Sequence, residues 1–212
     1  MLTVHHLGIS QSERIVWLCE ELGIAYEYKR YDRDPTTRLA PAAYKALHLD
    51  GTAPVITDGD LVLPESGAII EYIIARHGNG KLGVTKDNPD FADHLFWLHY
   101  ANASFMPNHT GGMMALLGAG TDNPMVALIN QRKANSYKLI EQYLGRRPFF
   151  GGRELSGADI NMVFPLTTMR MFVPHDLSGS PNIRAYLARI GARPAYQRAM
   201  ARAEPGMPPV LS

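Results

Sequence analysis

Cysteine is almost missing from this sequence. Cys19 stands alone in 212 residues, which excludes an intrachain disulfide and suits a reducing compartment. A surplus of either charge is missing too: 21 Lys and Arg face 20 Asp and Glu, a formal net charge of +1. That balance removes the electrostatic case for a nucleic-acid or anionic-membrane partner. No apolar run nears the ~20 residues that a spanning helix needs. The opening stretch MLTVHHLGIS has neither the basic start nor the long apolar centre of a secretory signal. Cytoplasm is the expected location. His5-His6, His94 and His99 lack metal-ligand spacing with any carboxylate or cysteine, and His-Glu-x-x-His does not occur, so no metal is expected. What is present is ordinary for a globular chain, 46% hydrophobic and 19% charged. The length allows one large or two modest domains with a buried core.

Taken in order, residues 2–7 read as a short strand. Ser10 to Leu22 read as a helix with Ile15, Leu18, Cys19 and Leu22 on one face, stopped by Gly23. Ala25 to Tyr31, with three tyrosines, predict a second strand. A polar loop follows, with a helical stretch near Pro41–Leu47. Val55-Ile56-Thr57 and Leu61-Val62-Leu63 flank Asp58-Gly59, a strong hairpin signal. Pro64-Glu65-Ser66 ends the second of these strands and opens a helix carrying Ile69, Ile70, Ile73 and Ile74. A βαβ unit followed by a hairpin and a helix predicts a small mixed sheet with helices on both faces, the layout of an α/β thioredoxin-like domain. The glycine-rich stretch 78–86 reads as a linker. Beyond it the pattern is helical, with starts at Asn88-Pro89, Asn123-Pro124 and Ser180-Pro181, interruptions at Pro107 and Gly111-Gly112, and a proline-rich tail.

Polar residues at helix starts have a folding role to weigh first. Ser66 fits an N-cap, and the first turn after it can receive an anion. Ser10 and Glu13 fit a capping box, with Ser12 competing for the cap. Ser156 and Asp159 fit another, with Leu155 and Ile160 spaced as a hydrophobic staple and Pro165 marking a bend. The cap accounts for both polar residues of that second box, so Asp159 reads as folding chemistry and not as a catalytic carboxylate.

The stretches HHLGISQSERIVWLCEELGI, GTAPVI, PESGAIIEYI and LSGADI occur in that order. Together they resemble the cytosolic glutathione S-transferases, and most of all the bacterial and fungal members with a serine in the first loop. The resemblance covers almost the whole chain. It implies a thioredoxin-like glutathione-binding domain over 1–80, a linker at 81–86, and an all-α domain over 87–212 that supplies the acceptor pocket. A homodimer is also implied. Glutathione would be the co-substrate and a small, apolar electrophile the second substrate.

The same resemblance assigns residues. Ser66 would take the γ-glutamyl carboxylate and Glu65 the ammonium. Ala53 would precede a cis proline and pair its backbone with the cysteinyl part of the ligand. Ser10 would donate a hydrogen bond to the sulfur and favour the thiolate, with Ser12 as the alternative. The chain departs from the family pattern where Thr52 replaces a longer polar residue at the glycine end, with His48 as a possible substitute. It departs again where Asn102 replaces a glutamate. Asn102 and Met106, one turn apart, are candidate acceptor-pocket residues, and Met106, Met113 and Met114 suggest an adaptable apolar pocket. Met106 also reads as ordinary core packing. Cys19 reads as a small buried hydrophobe, without a redox role. Two other functions use or lose the same groups: glutathione-dependent reduction of disulfides or peroxides, and a non-catalytic protein-binding module.

Overall fold

The computed structural model describes residues 1–111 and 123–212. By its contacts the chain forms two units, one of residues 1–84 with 190–209 and one of residues 85–189 with 210–212. Gly112, Met113 and Met114 lie outside the described residues.

The first unit is built on a four-stranded sheet of order β2-β1-β3-β4. Strand β1 (Leu2–Leu7) runs parallel to β2 (Glu27–Tyr31), with Thr3 opposite Glu27. It runs antiparallel to β3 (Val55–Asp58), which turns at Gly59 (φ +59°) into β4 (Leu61–Pro64). The hairpin forms because Asp58-Gly59 permits the turn, and the consecutive residues Val55 and Ile56 are both buried, one on each face of the inner strand β3. Helix α1 (Glu13–Leu22) connects β1 to β2 and buries Ile15, Val16, Trp17, Leu18 and Cys19. Gly23, at φ +67°, ends it. A short helix α2 (Ala42–Lys45) buries Tyr44 against Leu7, Tyr31 and Val55. Helix α3 (Ser66–Arg76) buries Ile69, Ile70, Ile73 and Ile74.

In the second unit α4 (Phe91–Tyr100) runs into a π-helical turn, Ala101–Phe105, and helix continues over 106–111. Pro107 therefore does not interrupt the helix as expected. The widened turn pairs the Met106 N–H with Ala101 C=O, and the shifted register tolerates the residue that has no N–H to give. Asn88-Pro89 also differs from expectation. Asp90 occupies the N-cap, and Asn88 Oδ1 accepts from the Asp90 N–H at 2.8 Å in the turn before the helix. Helix α5 (Pro124–Leu144) starts as expected, with Asn123 capping Met125 N–H at 2.9 Å. Helix α6 (Gly157–Leu166) has the full Ser156–Asp159 capping box and contains Pro165. Trp97 sits between Tyr143 and Phe150, with ring centroids 4.8 and 4.9 Å away.

Helix α7 (Pro181–Gly191) leads to α8 (Pro194–Ala203), which the sequence reading missed. Helix α8 packs on α1 within the first unit. Tyr196 meets Trp17 edge-on at 5.2 Å, and Arg193 forks onto Glu21 at 2.6 and 2.9 Å. A bidentate, half-buried pair of this kind fixes orientation as well as adding attraction.

Candidate functional site

The loop between β1 and α1 is held from several sides. Gly8 N–H donates to Tyr31 C=O at 3.0 Å, and Arg33 donates to the carbonyls of Gly8 (2.8 Å) and Ile9 (3.2 Å). Ile9 has φ +50°, a costly conformation for a β-branched residue that persists only where surroundings enforce it. Ser10 and Ser12 follow, both buried. The expected Ser10–Glu13 capping box does not form. Helix α1 begins at Glu13 with Ser12 in the cap position, and no side chain caps it. Both hydroxyls turn elsewhere: Ser10 Oγ donates to Leu7 C=O at 2.7 Å, and the two serine oxygens lie 2.7 Å apart.

Behind these serines lies a buried polar group. Ser12 Oγ accepts from Leu7 N–H at 3.0 Å and lies 2.9 Å from His6 Nδ1. His6 Nε2 lies 3.1 Å from Glu204 Oε1, and Ile9 N–H donates to the same oxygen. Glu204 caps the end of α8 and is buried, as is His6. Tyr28 stacks on the His6 ring at 5.8 Å.

The second polar group lies at the start of α3. Ser66 is not the N-cap. Glu65 takes that position with φ +73° and ψ 117°, and Ser66 is the first helical residue. Pro64 still belongs to β4, so Glu65 alone joins strand to helix, and it does so at a positive φ. Ser66 is buried, and Arg14 Nη1 donates to its Oγ at 3.0 Å. Arg14 Nη1 also donates to Gln11 Oε1 at 2.6 Å. Burial lowers the Arg14 guanidinium to about 9 while Glu13 opposes the shift, so it is a cation at neutral pH. A buried cation thus lies at the first residue of a helix, a combination suited to a carboxylate.

Ala53-Pro54 is cis. Ala53 is half-buried and Thr52 exposed just ahead of β3. His48 lies 3.7 Å from Asp50. Asn102 and Met106 are half-buried in the second unit, on the π-helical turn and just after it. Burial raises the Cys19 thiol well above its ordinary range, which keeps it protonated and inert. Ser10 with Ser12 and Glu65 with Ser66 therefore sit at the starts of α1 and α3, which Gln11 and Arg14 join. Four functional-site candidates were missed from sequence: His6, Gln11, Arg14 and Glu204. One signal was available for Arg14, a charge inside the apolar run of α1. Glu204 had none, since it acts across 198 positions.

A mixed βαβ-ββα sheet domain followed by helices, with polar groups at two helix starts, defines a thioredoxin-like domain joined to an all-helical region. Family models described as the N-terminal and C-terminal domains of glutathione S-transferase match residues 10–76 and 94–194. The chain is 34% identical in sequence to a crystallised glutathione S-transferase from Actinobacillus pleuropneumoniae, with a TM-score of 0.85 over 96% of this chain and 93% of that one. It is 29% identical to glutathione S-transferase 3 of Schizosaccharomyces pombe, over 96% of this chain and 88% of the relative. A sphingomonad glutathione S-transferase complexed with glutathione shares the fold, with a TM-score of 0.76 at 21% identity over 96% of this chain and all of that one. The chain belongs to the glutathione S-transferase family, and it is an enzyme of the transferase kind. Among the described residues no helix is long and apolar enough to cross a membrane.

Proposed function

We propose that this transferase binds glutathione along the starts of α1, β3 and α3 and activates its thiol as a thiolate through Ser10. The γ-glutamyl carboxylate sits at the first turn of α3 on Ser66, with Arg14 as a buried cation behind it. Glu65 meets the ammonium. The backbone of Ala53 pairs with the cysteinyl part, and Thr52 serves the glycine end. A free thiol titrates near ~8.5, so little thiolate is present at neutral pH. A hydroxyl donating to sulfur stabilises the anion, which then attacks a small apolar electrophile. Asn102 and Met106 are proposed acceptor-side residues. Self-association as a homodimer and a division near 81–86 belong to the same proposal.

The observation that carries this reading is the pairing of Arg14 with Ser66 at a helix start in the same unit as the Ser10 turn. The test is calorimetric titration with glutathione, combined with a conjugation assay on an activated aryl halide. Wild type and Ser10→Ala are expected to bind glutathione with similar affinity. Turnover of Ser10→Ala is expected to fall about 10- to 100-fold, the worth of one hydrogen bond to a charged group. Absence of binding at millimolar glutathione defeats the transferase assignment of the site. Unchanged turnover in Ser10→Ala removes Ser10 from its role and leaves Ser12 or a backbone N–H.

A further inference from the structure

The proton inventory around Ser10 has a single direction. Leu7 C=O can only accept, so the 2.7 Å contact uses the Ser10 proton. The 2.7 Å contact between the serine oxygens then needs the Ser12 proton. With that proton committed, the 2.9 Å contact between Ser12 Oγ and His6 Nδ1 must carry a proton on the imidazole. His6 Nε2 faces the Glu204 carboxylate at 3.1 Å and carries one as well. In this order His6 donates to Ser12 Oγ and to the Glu204 carboxylate, and the longer 3.3 Å approach of Ser12 Oγ to Leu7 C=O is left without a proton. Ser12 Oγ also accepts from Leu7 N–H, and Ser10 Oγ from Ser12 N–H at 3.3 Å. Arg30 Nη1 lies 3.8 Å from the other Glu204 oxygen and places an opposite charge beside that carboxylate.

We infer that Glu204, His6 and Ser12 are positioning residues, forming a buried donor chain that runs from His6 through Ser12 into the Ser10 oxygen and fixes Ser10 as a donor to the glutathione sulfur. This rests on the role proposed above for Ser10. When glutathione binds, the Ser10 O–H turns from Leu7 C=O to sulfur and no other proton in the chain moves. An oxygen that already accepts two hydrogen bonds is a stronger donor, because bonds in a chain polarise one another. Glu204 has a second route to the same atom. Its bond to Ile9 N–H holds the left-handed residue next to Ser10, so one carboxylate at the end of α8 sets both the direction of the hydroxyl and the backbone that presents it.

The test is the thiolate absorbance of bound glutathione, titrated against pH, with S-methylglutathione affinity as the control for an intact site. Ser10→Ala is expected to lower the bound thiolate fraction about tenfold or more at neutral pH. Glu204→Gln and Ser12→Ala are each expected to lower it about two- to fivefold while S-methylglutathione affinity holds. The deciding comparison is Glu204→Gln placed on Ser10→Ala, where no further loss is expected because the chain then ends on a methyl group. An equal loss in both backgrounds, or no loss in either single variant, overturns the donor chain and leaves Ser10 in place. If Ser10→Ala alone leaves the titration unchanged, the role of Ser10 fails first, and the two failures are told apart by that one variant. Ser12→Ala carries the test if Glu204→Gln does not fold, since Ser12 provides no side-chain cap to α1.

Discussion

Five described non-glycine residues carry backbone conformations that their side chains resist, and two of them belong to the candidate site, Ile9 at φ +50° and Glu65 at φ +73°. Each stands immediately before a serine of the candidate site. Strain of this kind costs about 1–3 kcal/mol per residue and survives only where neighbours enforce it. Ile9 is enforced by Glu204 and Arg33; Glu65 is the single residue between β4 and α3 and is held by both. Glu65→Gly separates the two demands on that position. Glycine accepts the positive φ without penalty and is tolerated as an N-cap, so stability is expected to rise by roughly 0.5–1 kcal/mol. Glutathione affinity is expected to fall at the same time, because the ammonium loses its carboxylate. Thermal denaturation and calorimetry on the same variant check both directions, and a variant that loses stability speaks against strain at Glu65.

At the scale of elements, the turn before α6 shows how tightly a capping residue can tie a loop. Asp159 accepts from the N–H groups of Phe150 (2.8 Å), Gly151 (3.3 Å) and Ser156 (2.9 Å) and from the Tyr186 hydroxyl (3.1 Å). The loop it anchors admits no side chain at Gly152. A Cβ there would meet Asp90 Cγ at 2.4 Å, and the backbone has φ +100°. Gly152→Ala is expected to cost about 2 kcal/mol or more in urea denaturation; a neutral result would mean that the 149–152 turn re-forms freely. This box was legible in the sequence because all its parts lie within four residues. The hairpin at Asp58-Gly59 and the Asn123-Pro124 start were legible for the same reason. The cap of α3 was misplaced by one residue because the φ of Glu65 is imposed by the strand before it, and residue type does not announce that. Helix α8 was overlooked although Arg193-Pro194 and the apolar positions Tyr196, Ala199, Met200 and Ala203 encode it. Glu204 could not be found at all, since its meaning comes from α8 lying on α1.

For the molecule as a whole, acid should act through buried imidazoles: burial lowers His5 and His94, and it lowers His109 and His175 furthest. His109 is held at about 4 by burial, aided by Lys133, His175 and Arg170, and opposed by the Val173 carbonyl. His175 is held at about 4 by burial, then by Lys133 and Arg170. In both, the folded value lies below the unfolded ~6.5. The unfolded chain therefore takes the proton first, and stability present above about 6.5 is lost as pH falls toward about 4. Asp159 works the other way. Burial raises it to about 6 against its four hydrogen-bond donors, so its contribution returns as pH falls from about 6 toward ~3.8. The lowered imidazoles outweigh the one raised carboxylate, and Tm is expected to drop between pH 6.5 and 4. His109→Gln should flatten that drop, as Tyr137 and Val173 keep partners for a neutral side chain; an unchanged slope would assign the acid sensitivity elsewhere. The grouping of residues 190–209 with residues 1–84 also orders events in time. During synthesis the sheet and α1 leave the ribosome first, yet the side of α1 that packs on α8 stays uncovered until more than a hundred further residues have been made. The early sheet must wait, exposed, for its last helix, and contacts so distant in sequence slow the closing step. A ribosome that stops before Pro194 releases a chain whose first unit cannot be completed by any later event.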